Sequence, residues 1–233
     1  MNALEEAKVK ILAVSCLKTM KQKKTFRQLS RETGLPAGVL NRYINGAVLP
    51  KPDRAEKIID HFSKNYFDRL IQAAHIKGSR FIVTSDILSQ PFFLSIIAHR
   101  VSRLFRNARI GKVFTAAVDG IPLATEIASV LNCSCIYAKK TQELALSGHY
   151  VSKSTPAKPL SSPFYLPKNL LKRNESVLIV DDVIRGGTTF DALTSICGQA
   201  KAEITGIFSM FITRKAYREL RKKYDVKYLL LVD

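Results

Sequence analysis

The stretch Val177–Phe190, reading VLIVDDVIRGGTTF, constrains the fold of this 233-residue chain more than any other. An unbroken apolar run such as Val177–Val180 suits a strand covered on both faces, and such strands belong to parallel sheets with helices on each side. Two acids follow, then a Gly-Gly-Thr-Thr turn, then a segment of helical character. Gly186 and Gly187 let backbone N–H groups turn inward and approach an anion closely. Thr188 and Thr189 add hydroxyl donors, and the N-terminus of the helix that follows contributes its positive dipole. Asp181 and Asp182 stand at the strand end, where ligands bind in open α/β sheets. Their carboxylates can accept hydrogen bonds from ligand hydroxyls.

The neighbouring segments keep the same alternation. Strands are expected at Lys112–Val118, Cys135–Ala138, Val177–Asp181, Ile204–Ile212 and Val226–Val232, and helices at Phe92–Asn107, Ile121–Leu131, Thr189–Cys197 and Arg214–Tyr224. This βαβα order predicts a doubly wound, mainly parallel sheet over residues 76–233. From Thr141 to Pro167 the chain is rich in Ser, Pro and Lys without helical periodicity. An excursion of that length is either a functional, mobile loop or an ordered hairpin.

Residues 1–75 follow a different pattern, and an all-α domain is expected there. Helices are predicted at Glu5–Leu17, with Val9, Ile11, Leu12, Val14 and Leu17 at broadly helical spacing, at Thr25–Thr33, at Pro36–Asn45, and from Asp53 to about Ala74. Thr25 suits an N-cap and Gly34 the left-handed turn after a helix. Pro36 suits a helix start. Leu29, Leu35, Leu40 and Ile44 are spaced to form the core of two short helices around that turn. Arg27, Arg31, Asn41, Arg42 and Asn45 fall mostly outside this core, with Pro36 and Ala37 at the start of the second helix. That arrangement places a second helix in a DNA major groove, where Asn and Arg read base edges and basic side chains contact phosphates.

A formal charge of +18 agrees with a polyanionic partner without specifying one. Residues 1–75 hold 14 Lys and Arg against 7 Asp and Glu, so the excess is not confined to one tail. The four cysteines are too few for a disulfide scaffold. Cys133 and Cys135 lack a second pair at zinc spacing, which predicts buried or inert thiols. His61, His75, His99 and His149 are scattered and form no ligand motif. No apolar run is long enough for a membrane span, and the start MNALEEAKVK lacks the apolar core of a signal peptide, so a cytoplasmic location is expected.

Three of these segments resemble known families. Thr25–Pro50 resembles the phage-repressor type of helix-turn-helix through LSRETGLP and VLNRYINGAVLP. Val177–Phe190 resembles the phosphoribosyl pyrophosphate (PRPP) loop of type I phosphoribosyltransferases. AAVDGIPLATEIASVLN, from Ala116, resembles that family's first pyrophosphate-side loop, and YAKK, Tyr137–Lys140, its second-strand end. The resemblance implies that Asp181 and Asp182 hold the ribose 2- and 3-hydroxyls. It implies that Arg185, Gly186, Gly187, Thr188 and Thr189 wrap the 5-phosphate, while Asp119, Gly120, Lys139 and Lys140 lie on the pyrophosphate side. Mg²⁺ would accompany PRPP, held by ligand oxygens and water with no direct protein ligand. Thr141–Pro167 matches the place of the flexible catalytic loop.

Enzymes of that family usually place Thr where this chain has Gly186, so the resemblance implies ligand binding more firmly than catalysis. The combined layout is similar to prokaryotic transcription regulators of the purine-repressor and sugar-catabolism types. It implies a homodimer that binds duplex DNA and a ribose phosphate or nucleotide-like effector. The alternative is an active purine-type phosphoribosyltransferase. No catalytic residue is assigned.

Overall fold

The computed structural model describes residues 3–74, 82–142, 148–153, 163–186 and 188–233. The chain divides into two compact units, Met1–Ala74 and His75–Asp233.

The first unit is helical. Helix α1 (Ala3–Lys21) buries Val9, Ala13, Cys16, Leu17 and Met20 on one stripe. Ile11, expected among the apolar positions, is 56% exposed, because it lies on the opposite face from Val9. Helix α2 (Phe26–Thr33) begins at a capping box in which Thr25 and Gln28 bond each other's backbone N–H, and it ends at Gly34 with φ +69°. Helix α3 (Ala37–Ile44) follows directly after Pro36. Leu29 and Leu40 are fully buried, whereas Leu35 and Ile44 are half-buried. The missing core member is Tyr43, buried with its hydroxyl accepting a 2.7 Å hydrogen bond from Arg54 Nη1.

The long fourth helix expected from Asp53 to Ala74 is three pieces: α4 (Pro52–Phe62), a π-helical turn over Ser63–Phe67, and α5 (Asp68–Ala74). Phe62 and Phe67 are both fully buried. In a regular helix, residues five apart point about 140° away from each other. The wider turn brings both rings to one face. Tyr66 stacks on Phe62 with ring centroids 5.5 Å apart, and its hydroxyl donates to Glu32 of α2 at 2.7 Å.

The second unit is α/β. Short α6 (Ser85–Leu88) and α7 (Pro91–Leu104) lead into β1 (Lys112–Ala116), α8 (Gly120–Leu131), β2 (Ser134–Ala138), β3 (His149–Val151), β4 (Tyr165–Pro167), β5 (Ser176–Ile184), α9 (Thr188–Ala200), β6 (Glu203–Thr213), α10 (Arg214–Leu220) and β7 (Val226–Val232). Five strands form one sheet in the order β2-β1-β5-β6-β7, with every neighbouring pair parallel. Phe114, Val177, Ile179 and Ile207 pack with Phe190, Leu193 and Ile196 of α9. The intervening residues Val113, Leu178, Val180 and Phe208 are also fully buried and face the other side, where α8 lies on β1 and β5.

The excursion Thr141–Pro167 is not wholly irregular. Its two ends pair as the antiparallel hairpin β3–β4, and Tyr165 bridges Lys139 at the end of β2 through reciprocal backbone bonds of 3.0 and 2.7 Å. Residues 143–147 and 154–162 of this stretch lie outside the described residues.

Candidate functional site

The strand order creates a crevice. From β1 the chain crosses to β2 on one side, while β5, β6 and β7 continue on the other. The reversal falls between β1 and β5, and ligands of doubly wound sheets bind at the carboxyl ends of the strands at this point.

Strand β5 is longer than its apolar run suggested. It extends to Ile184, so Asp181 and Asp182 lie within the strand rather than at its end. The two sides of β5 differ. It pairs with β6 as far as Ile184↔Ile212, yet its pairing with β1 stops at Phe114↔Ile179. Past Ile179 the β1-facing edge of β5 is released, and the two acids occupy that edge.

The loop after β1 closes on the acids from across the crevice. Asp119 is exposed, and Gly120 opens α8. A Cβ on Gly120 would lie 2.2 Å from Thr115 Oγ1 and 3.4 Å from Asp181 Oδ1, so only glycine lets this helix start so close to the strand ends. The peptide bond joining Ala117 to Val118 is cis. Burial, reinforced by the charges of Asp182 and then Asp119, holds the Asp181 carboxyl well above the usual carboxylate range. Asp182 N–H donates to Asp181 Oδ1 at 3.0 Å. The charges of Asp182 and Asp119 thus both reach the Asp181 carboxyl, a concentration of acid that hydroxyl donors relieve.

Two contacts hold this site that periodicity could not reveal. Thr84 Oγ1, from the segment before α6, donates to Asp182 Oδ2 at 3.0 Å. Thr213 Oγ1 donates to the Arg185 carbonyl at 2.8 Å and also caps α10 through Ala216 N–H, tying the turn after β5 to the end of β6. Only the hydroxyl side chains themselves hinted at either.

The remaining residues of the turn are placed as follows. Arg185, Gly186 and Thr188 are exposed and Thr189 is half-buried, with Thr188 and Thr189 in the first turn of the 13-residue helix α9. Gly187 lies outside the described residues. Gly186 does not adopt a left-handed φ, and a Cβ there would meet nothing within 4 Å. Backbone freedom is therefore not what glycine supplies at Gly186, and a side chain fits at this position. Lys139 and Lys140 follow β2 at the same edge of the sheet. Their ammonium groups lie 5.3 Å from the Tyr137 ring centroid and 5.9 Å from that of Phe164. A separate hollow of about 530 Å³, lined by Arg109, Glu175, Ser176 and Glu203 among others, sits at the opposite, amino-terminal end of the strands.

In the helical unit, Arg27, Arg31, Pro36, Ala37, Asn41, Arg42 and Asn45 are all exposed. Asn45 Nδ2 donates to Asn41 Oδ1 at 3.0 Å along α3, which orients both amides on one outward face. Lys24 is engaged by Glu32, and Lys21 lies over the Phe26 ring at 4.9 Å. The thiols of Cys16 and Cys197 are buried, and burial pushes Cys197 up to about 12. Cys133 and Cys135 are half-buried and also raised by burial, so none of the four is an activated nucleophile. Of the histidines, His99 is buried and His61 and His149 half-buried, whereas His75 lies outside the described residues. No helix among the described residues is long and apolar enough to cross a membrane.

Residues 83–233 match the phosphoribosyl transferase domain model. The chain is 30% identical over 191 residues to the probable purine biosynthesis transcriptional regulator PurR of Streptococcus pneumoniae, covering 80% of this chain and 68% of the relative. It is 25% identical over 167 residues to the xanthine phosphoribosyltransferase of Lacticaseibacillus casei, covering 70% of this chain and 86% of that one. Among solved structures, adenine phosphoribosyltransferase from Thermoanaerobacter pseudethanolicus shares the fold with a TM-score of 0.61 at 14% identity, over 71% of this chain and 99% of that chain.

Proposed function

The chain belongs to the phosphoribosyl transferase domain family, and on that premise we propose that it is a DNA-binding transcription regulator whose second unit binds PRPP or a related ribose phosphate or nucleotide. The observation that carries this reading is one chain holding both an exposed Asn/Arg face on α3 and an acid-lined crevice at the switch point of the sheet. Similarity to a named purine-biosynthesis regulator over 80% of the chain supports it.

In the second unit, Asp181 and Asp182 accept hydrogen bonds from the ribose hydroxyls, with Thr84 fixing the Asp182 carboxylate. The turn Arg185–Thr189 and the start of α9 receive the 5-phosphate, through backbone N–H groups, threonine hydroxyls and the helix dipole. Asp119, Gly120, Lys139 and Lys140 face the pyrophosphate. Mg²⁺ fits this set as a companion of PRPP. Among the described residues no group of three His, Cys, Asp or Glu is arranged as a metal cage, and Mg²⁺ ordinarily keeps water and substrate phosphate as most of its ligands. When bound, it neutralises pyrophosphate charge beside the three acids.

In the first unit, α3 enters the major groove of a site read by a homodimer, with half-sites about one helical turn apart. Ligand occupancy shifts DNA affinity to the extent that the ligand prefers one dimer arrangement, by about 5- to 150-fold.

The test has two arms. Selection from a random duplex library should yield a consensus site, and Arg42→Ala with Asn45→Ala should abolish that selectivity while the protein stays folded. Calorimetry with PRPP and Mg²⁺ should show binding that is lost in Asp181→Asn/Asp182→Asn. Full selectivity in the first double variant, or unchanged affinity in the second, refutes the corresponding half. The similarity to xanthine phosphoribosyltransferase favours one alternative, an active purine-type transferase. Pyrophosphate released from PRPP in the presence of a purine base would identify it.

A further inference from the structure

Helix α10 and the turn after it, Arg214–Lys223, carry six basic residues and one acid. That is nearly half the positive excess of the whole second unit, which has 23 Lys and Arg against 12 Asp and Glu beyond residue 75. The charge is ordered as well as dense. Arg214, Lys215, Arg218 and Lys222 recur at helical spacing and all are exposed, as are Arg221 and Lys223. The opposite face is the packed one: Ala216 is buried, and Tyr217 meets Tyr228 of β7 edge-on at 5.1 Å.

Most of these cations are uncompensated. Arg214 is paired with Asp233, and Arg221 lies over the Tyr217 ring at 5.5 Å. Lys215, Arg218, Lys222 and Lys223 have no carboxylate within ion-pair distance among the described residues. Four like charges held within nine residues, on α10 and the turn that follows it, repel one another, and a polyanion lying across them relieves that repulsion.

We propose that the outward face of α10 and the turn Arg221–Lys223 form a second phosphate-binding surface for duplex DNA, distinct from α3 and from the ligand crevice. The inference rests on the DNA-binding reading above. The chemistry of the patch selects the partner. No large apolar side chain between Arg214 and Asp233 is exposed, so the face lacks the wedge that an interfacial membrane helix inserts. Lysine is depleted from protein–protein interfaces, and three of the four free cations are lysines. Duplex DNA carries one negative charge per about 1.7 Å of its axis, so a cationic face of this length meets several. No base reading is implied. The surface contributes affinity that does not depend on sequence.

The experiment uses the full chain and a 40-bp duplex of random sequence, with affinity measured from about 50 to 200 mM KCl. One variant neutralises the stripe: Lys215→Gln, Arg218→Gln, Lys222→Gln and Lys223→Gln. A second removes the same charge elsewhere on the unit: Arg106→Gln, Lys172→Gln, Arg173→Gln and Lys201→Gln. Each phosphate contact adds about 0.9 to the slope of log K against log salt. The stripe variant should have a slope shallower by about 2–4, so that wild type loses about 15–250-fold more affinity across that range. The second variant should change the slope by less than about 1. Equal changes in both variants, or none in the stripe variant, overturn the proposal while leaving the DNA-binding reading intact. Wild type that binds no duplex at any salt overturns both.

Discussion

Gly120→Ala tests the geometry that brings α8 to the acids. The added methyl carbon would sit 2.2 Å from Thr115 Oγ1, against an ordinary contact distance near 3.4 Å, so the two groups must separate by about 1.2 Å. Thr115 cannot yield easily, since it is fully buried near the end of β1, where close packing leaves its side chain little room to move. The start of α8 must move instead, and overpacking of this kind costs about 1–3 kcal/mol. For a unit of this size that lowers Tm by about 2–4 °C per kcal/mol. Removing the obstructing hydroxyl should rescue it. In Thr115→Ala the new methyl would face the residue 115 Cβ at 3.5 Å, an ordinary contact. Melting curves of both single variants and the double should therefore be non-additive, with a coupling of about 1–3 kcal/mol in the stabilising direction. PRPP affinity should fall in Gly120→Ala and recover in the double variant. Additive effects, or a Gly120→Ala protein as stable as wild type, would refute the close-approach argument.

The raised Asp181 pKa makes a prediction of known sign. A folded-state value above the unfolded one means that stability is full at acid pH and lost as pH rises through the folded value. Asp181→Asn removes that loss, so the variant should melt above wild type at pH 7 and vary less between pH 4 and 8, even as PRPP binding weakens. Parallel pH profiles in the two proteins would contradict it. Thr84→Val, which keeps the shape and deletes the donor to Asp182, should weaken PRPP binding by about 0.5–1.5 kcal/mol in calorimetry, and Thr84→Ser should restore it. Leu40→Ala should destabilise the helical unit by about 2–5 kcal/mol. Loss of DNA binding should follow while the PRPP-induced thermal shift persists, and simultaneous loss of that shift would argue against two independent units.

What could be read from the chain in advance was local. The Thr25 cap, the Gly34 turn and the apolar strand before Asp181 each depend on residues a few positions apart, and the chemistry of those residues admits few alternatives. The features that were not legible depend on distant partners. Nothing near Thr84 reveals a bond to a residue 98 positions on. Nothing in the pattern of residues 53–74 indicates that Phe62 and Phe67 would share a face through a π-helical turn. Tyr43 was not among the expected core residues, and its hydroxyl partner Arg54 lies eleven positions on. Ile11 matched the apolar composition of α1 but not its stripe. The length of β5 was underestimated because acids ordinarily end an apolar run, whereas here β6 continues to pair beside them.

The strand order also fixes a sequence of events in time. Every contact of the helical unit is complete once residue 74 has been made. The crevice needs β1 beside β5, whose partners Lys112 and Val177 are 65 positions apart, and β5 is in turn held by β6 and β7 from the last part of the chain. At about 5–20 residues per second, roughly 8–30 s separate these two points during synthesis. The helical half of each new molecule can therefore fold well before the acid-lined crevice between β1 and β5 exists.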